Sequence, residues 1–187
     1  MLIAKVPRTI HKGDLTLRPL RIWDGPFLSR MLMKDDILRY CGLSRPLEIP
    51  WFSFYRQLKA MFPLAYRIEY ESEAMGFIGL CNLRPDQSAE MSLMIFKSSC
   101  RRMGLGTTAF RLLSAALEGN HLVRRWVVSV RRDNAPAYAF WRKLGFEEVW
   151  RDGETVRMTL SAGKQRTDRK SPGHQTVAEG FFMQGNA

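Results

Sequence analysis

Arg101-Arg102-Met103-Gly104-Leu105-Gly106-Thr107 is the stretch on which the reading of this chain turns. It follows an alternating run, Ala89 to Phe96, that reads as a strand. It precedes a helical pattern, about Thr107 to Glu118, in which Ala109, Phe110, Leu113, Ala116 and Leu117 share one face. A basic glycine loop between strand and helix suits phosphate, because glycine lets several N–H groups turn to one side and the helix adds its unpaired donors and positive dipole end. Flanking arginines add charge-assisted hydrogen bonds. A plain strand-to-helix turn with solvated arginines uses the same residues, and short glycine motifs are weak signals alone. The Gly-Lys-Ser/Thr ending of a Walker loop is absent. Gly104, Gly106 and Ala109 satisfy G-x-G-x-x-A, which keeps a dinucleotide reading open. That fingerprint belongs after the first strand of a βαβ unit, with an acidic residue about 20 positions later. Arg124 and Arg125 stand there instead, so only an NADP-type variant survives.

Working outward, Leu15 to Arg18 alternates as a strand and the stretch after Asp24 has helical spacing through Leu28, Met31 and Leu32. Ile49 to Met61 reads as an aromatic-rich helix starting near Pro50. Ala65 to Tyr70, Met75 to Asn82 and Ala89 to Phe96 follow as three strands of an antiparallel meander, split by Glu71-Ser72-Glu73 and Arg84-Pro85-Asp86. Beyond the loop and its helix come a strand at Trp126 to Val130 and a helix capped by Asn134, with Pro136 in its first turn and Gly145 at its end. Strands at Glu147 to Arg151 and Thr155 to Leu160 close the pattern. The prediction is an α/β chain of the α+β type, a single mixed, mostly antiparallel twisted sheet of about seven strands flanked by about four helices. Residues 1–160 form one domain in this reading, and 161–187 a polar, mobile tail.

The chain has 187 residues and a formal charge of +11, of which +9 falls on residues 1–160. Such a balance favours an anionic ligand. Cys41, Cys81 and Cys100 make an odd, unpaired set, and His11, His121 and His174 are scattered, so neither disulfides nor a metal is expected. No apolar leader or membrane-length run is present, and a cytoplasmic protein without a membrane partner is the expectation.

The loop, its preceding strand and the later helix together resemble the GNAT superfamily of N-acetyltransferases, whose pyrophosphate loop is Q/R-x-x-G-x-G/A. Arg101 to Gly106 fits that loop in full. Asn134 to Phe146 fits the family's N-x-x-A-x-x-[aromatic/aliphatic]-Y-x-K-x-G-F helix, except that Trp141 replaces the tyrosine. Ala89 to Phe96 resembles the strand before the loop, and Leu15 to Leu20 resembles members acting on ribosomal proteins, polyamines or amino sugars.

The resemblance implies acetyl-CoA as co-substrate and no metal. The pyrophosphate would sit on Arg101, Arg102, Met103, Gly104, Leu105, Gly106 and Thr107, and the pantetheine arm beside the backbone of Leu93, Met94 and Ile95. Asn134, Ala137 and Trp141 would border it, although Asn134 serves equally as a helix cap. The acceptor is an amine of a protein or small molecule, which must lose a proton to attack. Glu90 occupies the position of the family's glutamate base, with a strand-edge ion pair to an arginine as the alternative role. With the tyrosine missing, Tyr138 is the implied acid, and a leaving thiol also tolerates having none. Trp51, Phe52, Phe54 and Tyr55 lie where the family builds its acceptor pocket. The expected assembly is a monomer or homodimer. Two other classes stay open: an NADP-binding oxidoreductase, and a non-catalytic RNA- or ribosome-binding module using Arg124, Arg125, Arg131 and Arg132.

Overall fold

The computed structural model describes residues 8–32, 50–97 and 100–163. The tail beyond Gly163 and the predicted helix start at Ile49 therefore lie outside the described residues. Among the described residues eight strands form one sheet: β1 (Ile10–Lys12), β2 (Leu15–Pro19), β3 (Leu64–Tyr70), β4 (Glu73–Cys81), β5 (Ser88–Ile95), β6 (Arg125–Arg131), β7 (Glu147–Arg151) and β8 (Thr155–Ser161). Their order is β1-β2-β3-β4-β5-β6-β8-β7. Every neighbouring pair is antiparallel except β5 and β6, which run parallel. Among the described residues four α-helices accompany the sheet: α1 (Gly25–Leu32), α2 (Trp51–Met61), α3 (Leu105–Gly119) and α4 (Ala135–Leu144).

The strand absent from the sequence reading is β1, too short for alternation to reveal, and joined to β2 through Gly13 at φ 55°. A tight turn at Glu71 and Ser72, φ 50° and 66°, joins β3 to β4, so Glu73 already belongs to β4. Between β4 and β5, the Asp86 carboxylate accepts from the Ser88 N–H at 3.0 Å and hydroxyl at 2.7 Å. Gly76 allows β4 to close on the end of β5, because any Cβ there would collide with the Met94 carbonyl oxygen.

Alternation sends the two faces of the sheet to two cores. On one, α3 and α4 bury Phe110, Leu113, Leu117, Trp141 and Leu144 against Leu17, Ile68, Ile78, Met91, Trp126, Val128 and Met158. On the other, Leu28 of α1 and Phe54 and Leu58 of α2 meet Ala65, Phe77 and Phe96. The i, i+4 pair Phe54 and Leu58 thus carries the buried side of α2, leaving Trp51 and Phe52 exposed. Among the described residues no helix is long and apolar enough to cross a membrane.

Asp24, just before α1, is 2% exposed. It accepts from the Arg18 guanidinium at 2.8 and 3.0 Å, from Arg67 at 2.8 Å and from the Arg21 N–H at 2.8 Å. Burial opposes its charge, but those donors outweigh burial and hold the carboxyl below the usual range. A lowered carboxyl stabilises the fold at neutral pH, and that stability is lost as pH falls through the lowered value. Asp24→Asn, which removes the buried one of the two carboxylates, Asp24 and Glu69, that Arg18 and Arg67 share, is expected to cost about 3 kcal/mol. Urea midpoints measured from pH 7 downward should show the wild type converging on the variant only in acid.

Candidate active site

The parallel pair β5 and β6 touches only at its start: Ser88, Ala89 and Glu90 lie opposite Arg125, Trp126 and Val127. Beyond Glu90 the strands part. Met91 to Ile95 keeps β4 as its partner on one side, and β6 continues against β8. The result is a fork in the sheet with Glu90 at its base and the main-chain edge of Leu93, Met94 and Ile95 along one arm.

The glycine loop closes the far end of that arm. Arg102 and Gly104 both take positive φ, 71° and 81°, a local geometry that turns successive amides toward one side. Gly104 is the N-cap of α3 and offers it no side-chain oxygen. Leu105, Gly106 and Thr107 are therefore the first turn of the helix, two residues earlier than the periodicity predicts, since a left-handed glycine ends the loop there. Arg101 reaches back so that its Nε donates to the Ile95 carbonyl at 3.2 Å. A Cβ on Gly106 would stand 3.3 Å from Leu93 and 3.4 Å from the ring of Phe140, so its absence lets α3 sit close to both β5 and α4. Met103 is exposed at the loop's outer side.

Glu90 projects to the α1–α2 side with Ser92 and Met94, by strand alternation. Its Oε1 accepts from the Ser129 hydroxyl at 2.8 Å and its Oε2 from the Asn82 amide at 3.2 Å. Arg157 Nη2 stands 3.6 Å from Oε2. Cys81, opposite Glu90 on β4, has its thiol pushed up by burial and then by that carboxylate, which makes it a poor nucleophile.

On α4, the Asn134 Oδ1 accepts from the Ala137 N–H at 3.1 Å, the capping bond. Trp141 is buried against Phe110, Phe140 and Phe146, with ring centroids 4.8 to 5.8 Å apart. The Tyr138 hydroxyl donates to Glu148 Oε2 at 3.2 Å. Glu148 is on β7, with β8 between it and β6, and Arg151 holds its carboxylate below the usual range. Glu90 and Tyr138 are thus engaged with partners on opposite faces of the sheet.

The family description "Acetyltransferase (GNAT) family" matches residues 30–146, a span that contains the fork, the loop and α4. The chain belongs to the GNAT acetyltransferase family. As a GNAT protein it is an acyltransferase, and the glycine loop belongs to that fold, following the fifth strand of a largely antiparallel sheet. An N-alpha-acetyltransferase of Sulfurisphaera tokodaii is 26% identical over 132 residues, 65% of this chain and 78% of its own length. One from Sulfolobus acidocaldarius is 25% identical, over 62% and 74% of the two chains. Among solved structures, a Salmonella typhimurium acetyltransferase that modifies the N-terminal serine of a 50S ribosomal subunit protein superposes with a TM-score of 0.70 at 15% identity, covering 82% of this chain and 98% of its own. An aminoglycoside acetyltransferase in complex with coenzyme A gives 0.67 at 21% identity, covering 79% and 94%. At these identities the likeness of the structures speaks for the fold.

The residues that surround Glu90, namely Asn82, Ser129 and Arg157, are missing from the sequence reading. Only Ser129 leaves a trace, as a hydroxyl at an outward position among the valines of β6.

Proposed function

We propose that this GNAT acetyltransferase takes its acetyl group from acetyl-CoA and passes it directly to a primary amine, with Glu90 as the base. The observation that carries the reading is the fork: a carboxylate at its base, an open main-chain edge along Met91 to Ile95, and a positive-φ glycine loop at the end of that edge. The CoA-bound fold neighbours and the N-alpha-acetyltransferase relatives support the donor and the kind of acceptor. The thioester supplies an activated acetyl group. In this reading the loop from Arg101 to Thr107 holds the pyrophosphate, and the β5 amides at the open edge hold the arm and the developing oxyanion. Glu90, anchored by Ser129 and Asn82, takes the amine proton directly or through one water. The C–S bond breaks and the thiolate leaves with its electron pair. Solvent protonates it, because Trp141 has no acidic proton and the Tyr138 hydroxyl is committed to Glu148.

Thermal shift with acetyl-CoA, CoA and NADPH tests the donor. At about 100 times the dissociation constant, a specific ligand adds ~2.7 kcal/mol, or roughly 5 to 11 °C for a chain of this size. Acetyl-CoA and CoA are expected to give that shift and NADPH none. A shift with NADPH alone would overturn the reading.

A further inference from the structure

Arg157 stands out among the described arginines. Arg18, Arg67, Arg131 and Arg151 each close on a carboxylate at 2.6 to 3.1 Å. Arg157 meets one only at 3.6 Å, on Glu90, beyond the 2.7 to 2.9 Å of a charge-assisted hydrogen bond. Its Nε, like that of Arg67, is buried without a hydrogen-bond partner, but Arg67 Nε still has the Glu69 carboxylate 3.0 Å away, whereas no ion pair is formed by Arg157 Nε among the described residues. The register gives it company. Arg157 on β8 lies opposite Ser129 on one side and Trp150 on the other, so the three side chains stand in a row on one face of the sheet. Ser129 ties that row to Glu90, and Trp150, 52% exposed, continues it outward. Arg125 and Arg131 share the face by alternation on β6, Arg131 being paired with Asp133.

We infer that Arg157 binds a carboxylate of the acceptor beside the amine that Glu90 deprotonates. The inference rests on Glu90 facing the acceptor as proposed above. With Glu90 and Arg157 3.6 Å apart, an amine bonded to one and a carboxylate bonded to the other are about 3 to 6 Å apart in the acceptor. That spacing describes an amino-acid-like acceptor. Two sources supply it: the α-carboxylate of a free amino acid, or the side-chain carboxylate of an N-terminal Asp or Glu in a peptide. A polycation such as a polyamine or an aminoglycoside meets an arginine-rich face instead, and like charges across a contact are disfavoured.

The test compares kcat/KM at saturating acetyl-CoA for the wild type, Arg157→Gln and Arg157→Lys. The acceptors are Glu-Ala-Ala amide against Gln-Ala-Ala amide, and glutamine against glutamine amide, with spermidine as the polycation. The wild type should favour the carboxylate member of one pair by at least about tenfold, and which pair identifies the source. Arg157→Gln should bring that ratio close to one through a raised KM, and Arg157→Lys, which keeps the charge, should retain part of it. Equal rates within both pairs, a ratio that survives Arg157→Gln, spermidine as the best acceptor, or no acetylation of any of these amines would each overturn the assignment. The acetyl-CoA thermal shift on the same samples separates the two readings. A normal shift without carboxylate preference removes Arg157 alone, whereas no shift removes the proposed donor as well.

Discussion

Glu90→Gln is expected to lower kcat by about 10² to 10⁴-fold, the usual worth of a general base. The substitution keeps the shape of the side chain and leaves an oxygen for the Ser129 hydroxyl, which now donates to Oε1 at 2.8 Å. The fold should therefore survive, and the loss should fall on kcat rather than on acetyl-CoA binding. The pH profile carries the decisive information. An alkyl amine with a pKa near ~10.4, or an α-amine near ~8, is largely protonated at neutral pH. Without the carboxylate, the residual rate should climb with the fraction of free amine alone. Full kcat at every pH in the Gln variant would remove Glu90 from the chemistry and leave it as a strand-edge ion-pair partner.

Gly104→Val is expected to abolish the acetyl-CoA thermal shift, a loss of roughly the 2.7 kcal/mol that saturating ligand supplies. The cause is backbone conformation. A Cβ on Gly104 would meet nothing within 4 Å, but the residue sits at φ 81°, where a β-branched side chain is a genuine outlier. The loop should relax to another conformation, turning its amides away from the phosphate position, while the sheet and both cores stay intact. Titration calorimetry with acetyl-CoA, together with an unfolding curve, distinguishes this from global unfolding. Undiminished affinity would take the loop out of the donor site.

The parts of this molecule legible in the sequence are those set by near neighbours in the chain. The meander strands β3, β4 and β5 show because each runs for seven to nine residues between turn-rich breaks. Helix α4 shows because Asn134, Pro136 and Gly145 mark its ends by local stereochemistry, as the Ala137 N–H to Asn134 bond and the positive φ of Gly145 bear out. Strand β1 is only Ile10–Lys12, and three residues carry no period. The surroundings of Glu90 are illegible for a different reason. Asn82 follows the end of β4, Ser129 lies on β6 and Arg157 on β8, and only the strand order brings them together. The aromatic face of α2 is partly misleading, because any of its four aromatic side chains could have turned inward and packing selects Phe54.

The fork has a mechanical meaning as well. In ladder bonds, the eight-stranded sheet is two plates, β1 to β5 and β6-β8-β7, hinged along a seam of Ser88 to Glu90 against Arg125 to Val127. Three register pairs cross the seam, against six between β4 and β5 and seven between β6 and β8, so, the short edge strand β1 apart, the seam is the joint with the fewest pairings. Glu90 is its last residue, set where the lever arm begins. Anything that wedges the plates apart or draws them together acts across the contacts of Glu90 on one plate with Ser129 and Arg157 on the other.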